Sequence, residues 1–246
     1  MGQYAFYFDQ SRCYSCHACS VACKDWNGIE AGPEKWMSVY EWEEGAFPDI
    51  RLRGLAFPCA HCDDPACVKA CTVGAVTKEG EYGAVLVDQD ACMGCRACYE
   101  ACPYGSPKFA DDGSDTKMSK CTMCVDRLNE GHIPVCVASC PLRALDFGPV
   151  DEMTAKYGTS RWLDQMPEPV TSPNFIVKAA ADRKRIVSYD AEKAVELMKK
   201  REGLDDLFDS AQDVTEVPRE ALRSPELRMK HESCETRLRS THNFAG

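Results

Sequence analysis

Short apolar stretches recur along the first 150 residues, and each ends in a polar turn. Residues 7–13 read YFDQSRC and residues 86–92 read LVDQDAC, so the second stretch repeats the first at an offset of 92 − 13 = 79 residues. Each copy is a short apolar segment, an Asp-Gln turn and then a cysteine, a pattern that predicts a strand leading into a loop. The repeat predicts two related units in this part of the chain.

Two further segments predict strands that return from a cysteine loop. Gly74-Ala75-Val76 follows Cys71, and Arg143-Ala144-Leu145 follows Cys140. Residues 27–57 interrupt this pattern with alternating apolar positions, a Gly45–Pro48 turn and a second apolar run, which predicts a pair of strands. Residues 108–120 are polar and predict a surface loop. The fold class is therefore α+β.

The pattern changes after Val150. Residues 151–157 predict a short helix ended by Gly158, and the three prolines within 167–175 predict an extended crossing. Asp190 is placed to cap a helix with apolar positions 191, 194, 195 and 198, which Gly203 would end. A last helix is predicted within 218–231. We expect this mostly helical or extended tail to dock on another subunit, since it has little apolar density for a core.

Composition and charge exclude several classes of protein. The chain has 246 residues, 44% hydrophobic and 28% charged, as is ordinary for globular proteins. No apolar run reaches the length of a membrane span, and the first ten residues lack the features of a signal peptide. The net charge is −10; residues 1–150 carry 13 basic and 21 acidic side chains, or −8. Because an acidic surface repels phosphate, we expect no nucleic-acid partner.

Cysteine decides the chemistry. Sixteen of the seventeen cysteines fall into four groups of four. The first group is Cys13, Cys16, Cys19 and Cys23; the second is Cys59, Cys62, Cys67 and Cys71; the third is Cys92, Cys95, Cys98 and Cys102; the fourth is Cys121, Cys124, Cys136 and Cys140. In a C-x2-C-x2-C-x3-C run, three cysteines wrap one [4Fe–4S] cluster and the fourth binds the neighbouring cluster. The spacing predicts four such clusters.

Two other uses of cysteine fit this pattern less well. Disulfides suit small secreted chains, and structural zinc uses two separated pairs of ligands rather than triplets at x2 spacing. His17 and His61 lie between cluster cysteines, where no thiolate is missing, so each is expected to make a nearby hydrogen bond that tunes the potential. Cys234 is expected to be a free structural thiol. No catalytic constellation or nucleotide motif is present, which predicts a protein without a catalytic site of its own.

The residues resemble one family, the iron–sulfur subunits of dimethyl sulfoxide reductase and related molybdopterin oxidoreductases. The resemblance covers Gln3 to Tyr157 and is carried by QYAFYFDQSRC, ACKDW, PCAHCDDPACVKAC, DQDACMGCRACYEACPYGSP, KCTMCVDRLNEG and CVASCPLRALDFGP. Relatives usually have Pro after the last cysteine of the second group, where this chain has Thr72. The segment PEPVTSPNFIVK is also similar.

The resemblance implies duplicated bacterial-ferredoxin-like domains that hold four cubanes in a line. The expected first unit is 1–26 with 104–150, the second is 57–103 and the β insertion is 27–56. Residues 151–246 form a C-terminal extension that is expected to dock on another subunit, and its part beyond about Lys178 has no match in the family. The implied ligand sets are Cys13, Cys16, Cys19 and Cys140; Cys23, Cys121, Cys124 and Cys136; Cys59, Cys62, Cys67 and Cys102; and Cys71, Cys92, Cys95 and Cys98. By resemblance, the first of these clusters faces the catalytic partner and the third faces the electron donor.

The resemblance also implies partners. A large subunit with a molybdenum or tungsten bis-molybdopterin centre is expected, and many such complexes add a membrane subunit that exchanges electrons with quinol. A free-standing polyferredoxin, or the equivalent subunit of a hydrogenase or formate dehydrogenase complex, is the alternative. Localisation stays open between the cytoplasm and export with a signal-bearing partner, with or without a membrane subunit.

Overall fold

The computed structural model describes residues 2–44, 50–181, 190–200 and 227–239, which form short strands and short helices. The strands are β1 (Tyr4–Asp9), β2 (Ser38–Glu44), β3 (Arg51–Phe57), β4 (Val76–Lys78), β5 (Val85–Val87), β6 (Leu145–Pro149) and β7 (Phe175–Lys178). The helices are α1 (Ala18–Trp26), α2 (Ala66–Lys69), α3 (Ala97–Ala101), α4 (Val125–Asn129), α5 (Val135–Ala138), α6 (Val150–Tyr157), α7 (Ala191–Lys199) and α8 (Cys234–Arg239).

The first strand lies at the centre of a three-stranded sheet in the order β6-β1-β7. It runs antiparallel to β6 and parallel to β7. Successive side chains of a strand point to opposite faces, and both faces of β1 are covered. Ala5 and Tyr7 pack with Met153 of α6, whereas Phe6 and Phe8 belong to the main core. This explains why the apolar run of β1 is continuous rather than alternating.

Strand pairing brings distant cysteine groups together. Strand β1 precedes the first group and pairs with β6, which follows the fourth group. Strand β5 precedes the third group and pairs with β4, which follows the second group. The predicted leading and returning strands are confirmed. Both pairs are antiparallel, so each places the start of one cysteine loop beside the end of another.

The predicted pair of strands in the insertion is also present. Strands β2 and β3 pair antiparallel over seven residues, and the turn between them lies outside the described residues. Trp42 and Leu55 are buried in the main core, so this hairpin is part of the core of the molecule. A Cβ added at Gly54 would collide with the hydroxyl of Ser15 and lie 3.4 Å from Cys13 Sγ. Glycine therefore lets β3 approach the first cysteine loop closely.

The expectation of a surface loop at 108–120 is wrong at both ends. Residues 110–115 are exposed, but Lys108, Phe109, Met118 and Lys120 are buried. The two ends meet because Lys108 and Ser119 form an antiparallel β-bridge, which closes the loop against the cysteine groups. The polar composition reflects only the tip.

The segment after Val150 matches part of the expectation. Helix α6 ends at Gly158, whose φ of 89° suits glycine. The backbone N–H of Lys193 donates to Asp190 Oδ1 at 3.1 Å, which confirms the cap of α7; Gly203 lies outside the described residues. Strand β7, which adds to the edge of β1, was not expected. The longest described helices have nine residues, and no helix within the described ranges has the length and apolarity for a bilayer span.

The C-terminal segment, residues 227–239, departs from the expectation. Residues 218–226 lie outside the described ranges, 227–231 are not helical, and the helix that forms is α8. Leu227 and Met229 are buried in the main core. The backbone N–H of His231 donates to the hydroxyl of Tyr99 on α3 at 2.6 Å. This part of the tail therefore packs on the protein itself, next to the third cysteine group.

Candidate metal centres

The first set of thiols surrounds an apolar cavity beside β1. Cys13, Cys16, Cys19 and Cys140 line it, and it encloses about 360 Å³ including its opening to solvent. Burial, reinforced by the neighbouring thiolates, raises the pKa of Cys19 to about 12. Burial and Cys140 also raise the pKa of Cys13. Thus the structure brings together a set that the resemblance implied.

The second set, Cys59, Cys62, Cys67 and Cys102, surrounds a similar cavity of about 370 Å³ including its opening to solvent. Burial raises the pKa of Cys62 and of Cys67 to about 12, and Cys59 and Cys102 add to both shifts. Cys102 belongs by sequence to the third group, yet it lies with the second. Its position follows from the β4–β5 pairing and the packing of α2 against α3.

A third set is formed by Cys23, Cys121, Cys124 and Cys136. Burial raises the pKa of Cys23 to about 11, with a contribution from Cys124. Burial also raises the pKa of Cys136 well above its usual range, and Cys121, Cys124 and Cys23 act in the same direction. The helices that carry Cys23 and Cys136, α1 and α5, pack against each other.

The remaining cysteines lie around a smaller apolar cluster. Cys98 belongs to it together with Tyr99 and Met118, and Cys71 and Cys92 pack against it. Burial raises the pKa of Cys98 to about 11, and Cys92 and Cys95 add to the shift. Cys95 is exposed. The structure therefore gathers Cys71, Cys92, Cys95 and Cys98 around this apolar cluster.

Neighbouring thiols give the order of the four sets. Cys19 of the first set raises the pKa of Cys136, and Cys59 raises that of Cys121, in both cases after the larger effect of burial. Cys67 and Cys71 are joined through α2. These contacts place the set that contains Cys59 between the set of Cys121 and the set of Cys98. The expectation that the Cys59 cluster faces the electron donor stays a prediction, which these contacts do not favour.

The backbone of the cysteine loops is strained in a regular way. In the first loop Ser15 and His17 have φ of 58° and 61°, and at the equivalent positions of the third loop Gly94 and Arg96 have φ of 72° and 62°. A left-handed conformation costs a non-glycine residue about 1–2 kcal/mol. Such strain persists only where the surrounding structure requires it. A loop that turns its backbone amides toward an anionic group is one such case.

Several N–H groups point at the thiols. Backbone N–H groups donate to Cys140 Sγ from Ala144 at 3.2 Å and to Cys121 Sγ from Met123 at 3.4 Å. The hydroxyl of Thr171 lies 3.2 Å from Cys62 Sγ. Hydrogen bonds to sulfur stabilise its anionic form and raise the potential of an iron–sulfur cluster. The loops are therefore arranged for thiolates.

The donor set fits iron–sulfur clusters better than single ions. Sixteen free thiols, most of them buried and close to others, cannot ionise together without nearby cations, and metal ligation supplies these. Within the described ranges, no three His, Cys, Asp or Glu side chains converge closely enough to hold one metal ion. Cysteine triplets with a fourth, more distant cysteine are the ligands that iron–sulfur clusters use.

Sequence reasoning missed several residues around these sites. Lys120 is buried between the second and third sets, and Asn174 donates from Nδ2 to the carbonyl of His61 at 3.1 Å. His17 faces Glu41, with Nε2 3.7 Å from the carboxylate. The similarity of the PEPVTSPNFIVK segment to the family was the one signal that pointed to Thr171 and Asn174.

Comparison with known proteins agrees with this geometry. Residues 52–150 match a family model described as a 4Fe-4S dicluster domain. The sequence is 43% identical over 192 residues to one chain of the anaerobic dimethyl sulfoxide reductase of Escherichia coli strain K12, covering 73% of this protein and 90% of the relative. This chain therefore belongs to the family of dimethyl sulfoxide reductase iron–sulfur subunits. Members of this family are electron-transfer subunits that hold [4Fe–4S] clusters.

Two more distant relatives have other names. A sulfite dehydrogenase subunit of Allochromatium vinosum is 37% identical over 172 residues, covering 62% of this protein and 71% of the relative. Protein NrfC of E. coli strain K12 is 35% identical over 166 residues, covering 67% and 73%. The chain is therefore similar to proteins with more than one name.

Proposed function

We propose that this chain relays single electrons through four [4Fe–4S] clusters between an electron donor and a bis-molybdopterin catalytic subunit. It turns over no substrate itself. The observation that carries the proposal is the succession of four thiol sets, each neighbouring the next. A linear series of one-electron centres is suited to conduction across a subunit, and each centre is tuned by charge, hydrogen bonds and exposure.

The proposed ligands are the sixteen cysteines of the four groups. Three cysteines of each group would bind one cluster, and the fourth would bind the neighbouring cluster. The first and fourth groups would exchange their fourth cysteines, as would the second and third. The antiparallel pairs β1–β6 and β4–β5 support this exchange, and they support two ferredoxin-like units that arose by duplication.

The two ends of the series are the proposed points where electrons enter and leave. Cys16 of the first set is exposed, and the exposed apolar side chains of Tyr14 and Leu142 lie beside it. At the other end Cys95 is exposed next to Met93, which is 59% exposed. Exposed apolar side chains at both ends suit docking on other subunits.

The partners follow from the relatives. The E. coli relative is named as one chain of an anaerobic dimethyl sulfoxide reductase, which supports a molybdopterin catalytic subunit for this protein as well. A membrane subunit that oxidises quinol would supply the electrons. The acidic charge of −10 argues against nucleic acid.

Anaerobic purification of the tagged chain from its native cells tests this proposal. We expect a large subunit in equal amount, with molybdenum or tungsten and pterin, and we expect dithionite-reduced clusters to be reoxidised by the substrate of that subunit. A chain that purifies alone with all its clusters would favour a free-standing polyferredoxin. A large subunit with nickel would favour a hydrogenase.

A further inference from the structure

The imidazole of His61 is held rigidly inside the second cysteine loop. The residue lies between Cys59 and Cys62, is fully buried, and has a left-handed backbone with φ of 43°. The backbone N–H of Val85 donates to its Nδ1 at 2.9 Å. Asn174 fixes its carbonyl from the other side. Neither the ring nor the backbone of His61 is free to reorient.

The hydrogen bond from Val85 determines where the proton of His61 lies. A nitrogen that accepts a hydrogen bond carries no proton, so Nδ1 is unprotonated and the ring is neutral. A neutral imidazole then has its proton on Nε2. That Nε2 is shielded from solvent and has no hydrogen-bond partner among the described residues. The protein therefore contains a buried N–H donor in need of an acceptor.

His61 lines the cavity that Cys59, Cys62, Cys67 and Cys102 surround. The other polar side chains of its lining are Lys120, which donates to the carbonyls of Val85 and Cys121, and the hydroxyl-bearing Tyr104, Ser106 and Thr171. Among the described residues, none of these groups forms a hydrogen bond with Nε2. Sulfur atoms, either sulfide of the cluster or thiolate of a ligand, are the acceptors that this cavity would contain.

We propose that His61 Nε2–H donates a hydrogen bond to a sulfur of the cluster held by Cys59, Cys62, Cys67 and Cys102. The inference rests on the proposed function, since it requires that cluster. His61 is thus a positioning residue that raises the potential of one internal cluster and keeps it reducible by its neighbours. A hydrogen bond to sulfur favours the reduced, more negative state of the cluster.

Two substitutions separate the N–H donor from the rest of the side chain. Asparagine tolerates positive φ and can place Oδ1 where Nδ1 accepts from Val85, but it has no donor at the position of Nε2. Glutamine can place its amide N–H near that position. We expect His61→Asn to lower the equilibrium constant for reduction of one cluster by about tenfold, which is ~59 mV for one electron. His61→Gln should recover most of that shift.

His17 supplies the matched control. It also lies between cluster cysteines, but its side chain is 36% exposed and faces Glu41. The sequence alone predicts that His17 also tunes a potential, but its contact with Glu41 rather than a thiol does not favour that role. His17→Asn should therefore leave all midpoints unchanged in a potentiometric titration followed by electron paramagnetic resonance. Unchanged midpoints in a fully loaded His61→Asn protein would overturn the inference while leaving the four-cluster proposal intact.

A measurement on the unaltered protein does not depend on folding of a variant. In protein labelled with 15N-histidine and exchanged into D2O, one reduced cluster should show hyperfine coupling to both an exchangeable deuteron and a histidine 15N. Coupling to the deuteron alone would indicate a bound water instead of His61 and would overturn the inference. A chain that binds no iron would refute the proposed function, and the inference would fall with it.

Discussion

Replacing Lys120 with methionine removes a positive charge from between two candidate clusters. Lys120 is 1% exposed, and its ammonium group donates to the carbonyl of Cys121 at 2.7 Å and to that of Val85. Among the described residues it forms no ion pair with a carboxylate. Burial raises the pKa of Cys67 and that of Cys121, and Lys120 opposes both shifts. Lys120 therefore acts on the Cys59 and the Cys121 cluster together.

The size of the effect follows from Coulomb's law. For a separation of about 6 to 10 Å and an effective dielectric constant of about 20, one added electron interacts with the ammonium group by roughly 1.7 to 2.8 kcal/mol. For a one-electron couple this is about 70 to 120 mV, at ~59 mV per tenfold change. Because the cation favours the reduced state, Lys120→Met should lower the midpoints of both clusters by this amount.

Potentiometric titration of the assembled protein measures the four midpoints. Lys117→Met is the matched control, since Lys117 lies on the same loop and is exposed. A surface charge is screened by solvent, so this change should shift the midpoints little. The reasoning would be refuted if Lys120→Met left all four midpoints in place, or if it shifted all four equally.

Two further predictions concern assembly. Cys102→Ser should abolish the Cys59 cluster or convert it to another cluster type, while the electron paramagnetic resonance signal of the Cys92, Cys95 and Cys98 cluster persists. Loss of that second signal instead would show that the fourth cysteines are not exchanged. Met229→Ala should lower the free energy of unfolding by about 2–5 kcal/mol, as for other buried methionines. Leu238→Ala changes an exposed position and should change the free energy of unfolding little. Chemical denaturation measures both variants. Equal effects of the two alanine variants would show that the C-terminal segment does not pack as described.

The cysteine loops could be predicted because their chemistry is local. In the first and third groups, four cysteines at x2 and x3 spacing predict a cluster-binding loop from about a dozen residues. The Asp-Gln turns in front of these two groups predict the strands that precede them. The leading strand β1 and the return strand β6 were found for the same reason. The spacing predicts that fourth cysteines are exchanged, and the resemblance implies which groups exchange them. The pairs β1–β6 and β4–β5 bring those same groups side by side.

The features that were missed depend on contacts between distant residues. Asn174 reaches His61 across 113 residues, and His231 reaches Tyr99 across 132. No local pattern marks such contacts. Strand β7 has four residues, too few to show a period, and it is recognisable only beside β1. Lys108 and Lys120 look like surface residues by type, since a lysine is seldom buried.

The order of the clusters could not be obtained from sequence either. The resemblance predicts that the Cys59 cluster lies at the donor end, whereas Cys59, after burial, contributes to the raised pKa of Cys121 and so favours an internal position for that set. Spacing along the chain reports which thiols share a loop. It does not report which loops become neighbours, because that depends on how the two strand pairs pack.

The most direct test of the account is the iron and acid-labile sulfide content of the anaerobically purified chain. Four cubanes predict about sixteen irons per chain, 4 × 4, with an equal amount of sulfide. Chemical analysis should approach these values, and spin quantitation of the reduced protein should account for four interacting clusters. About eight irons would leave half of the proposed ligands without a role. Two zinc ions and no sulfide would contradict the account altogether.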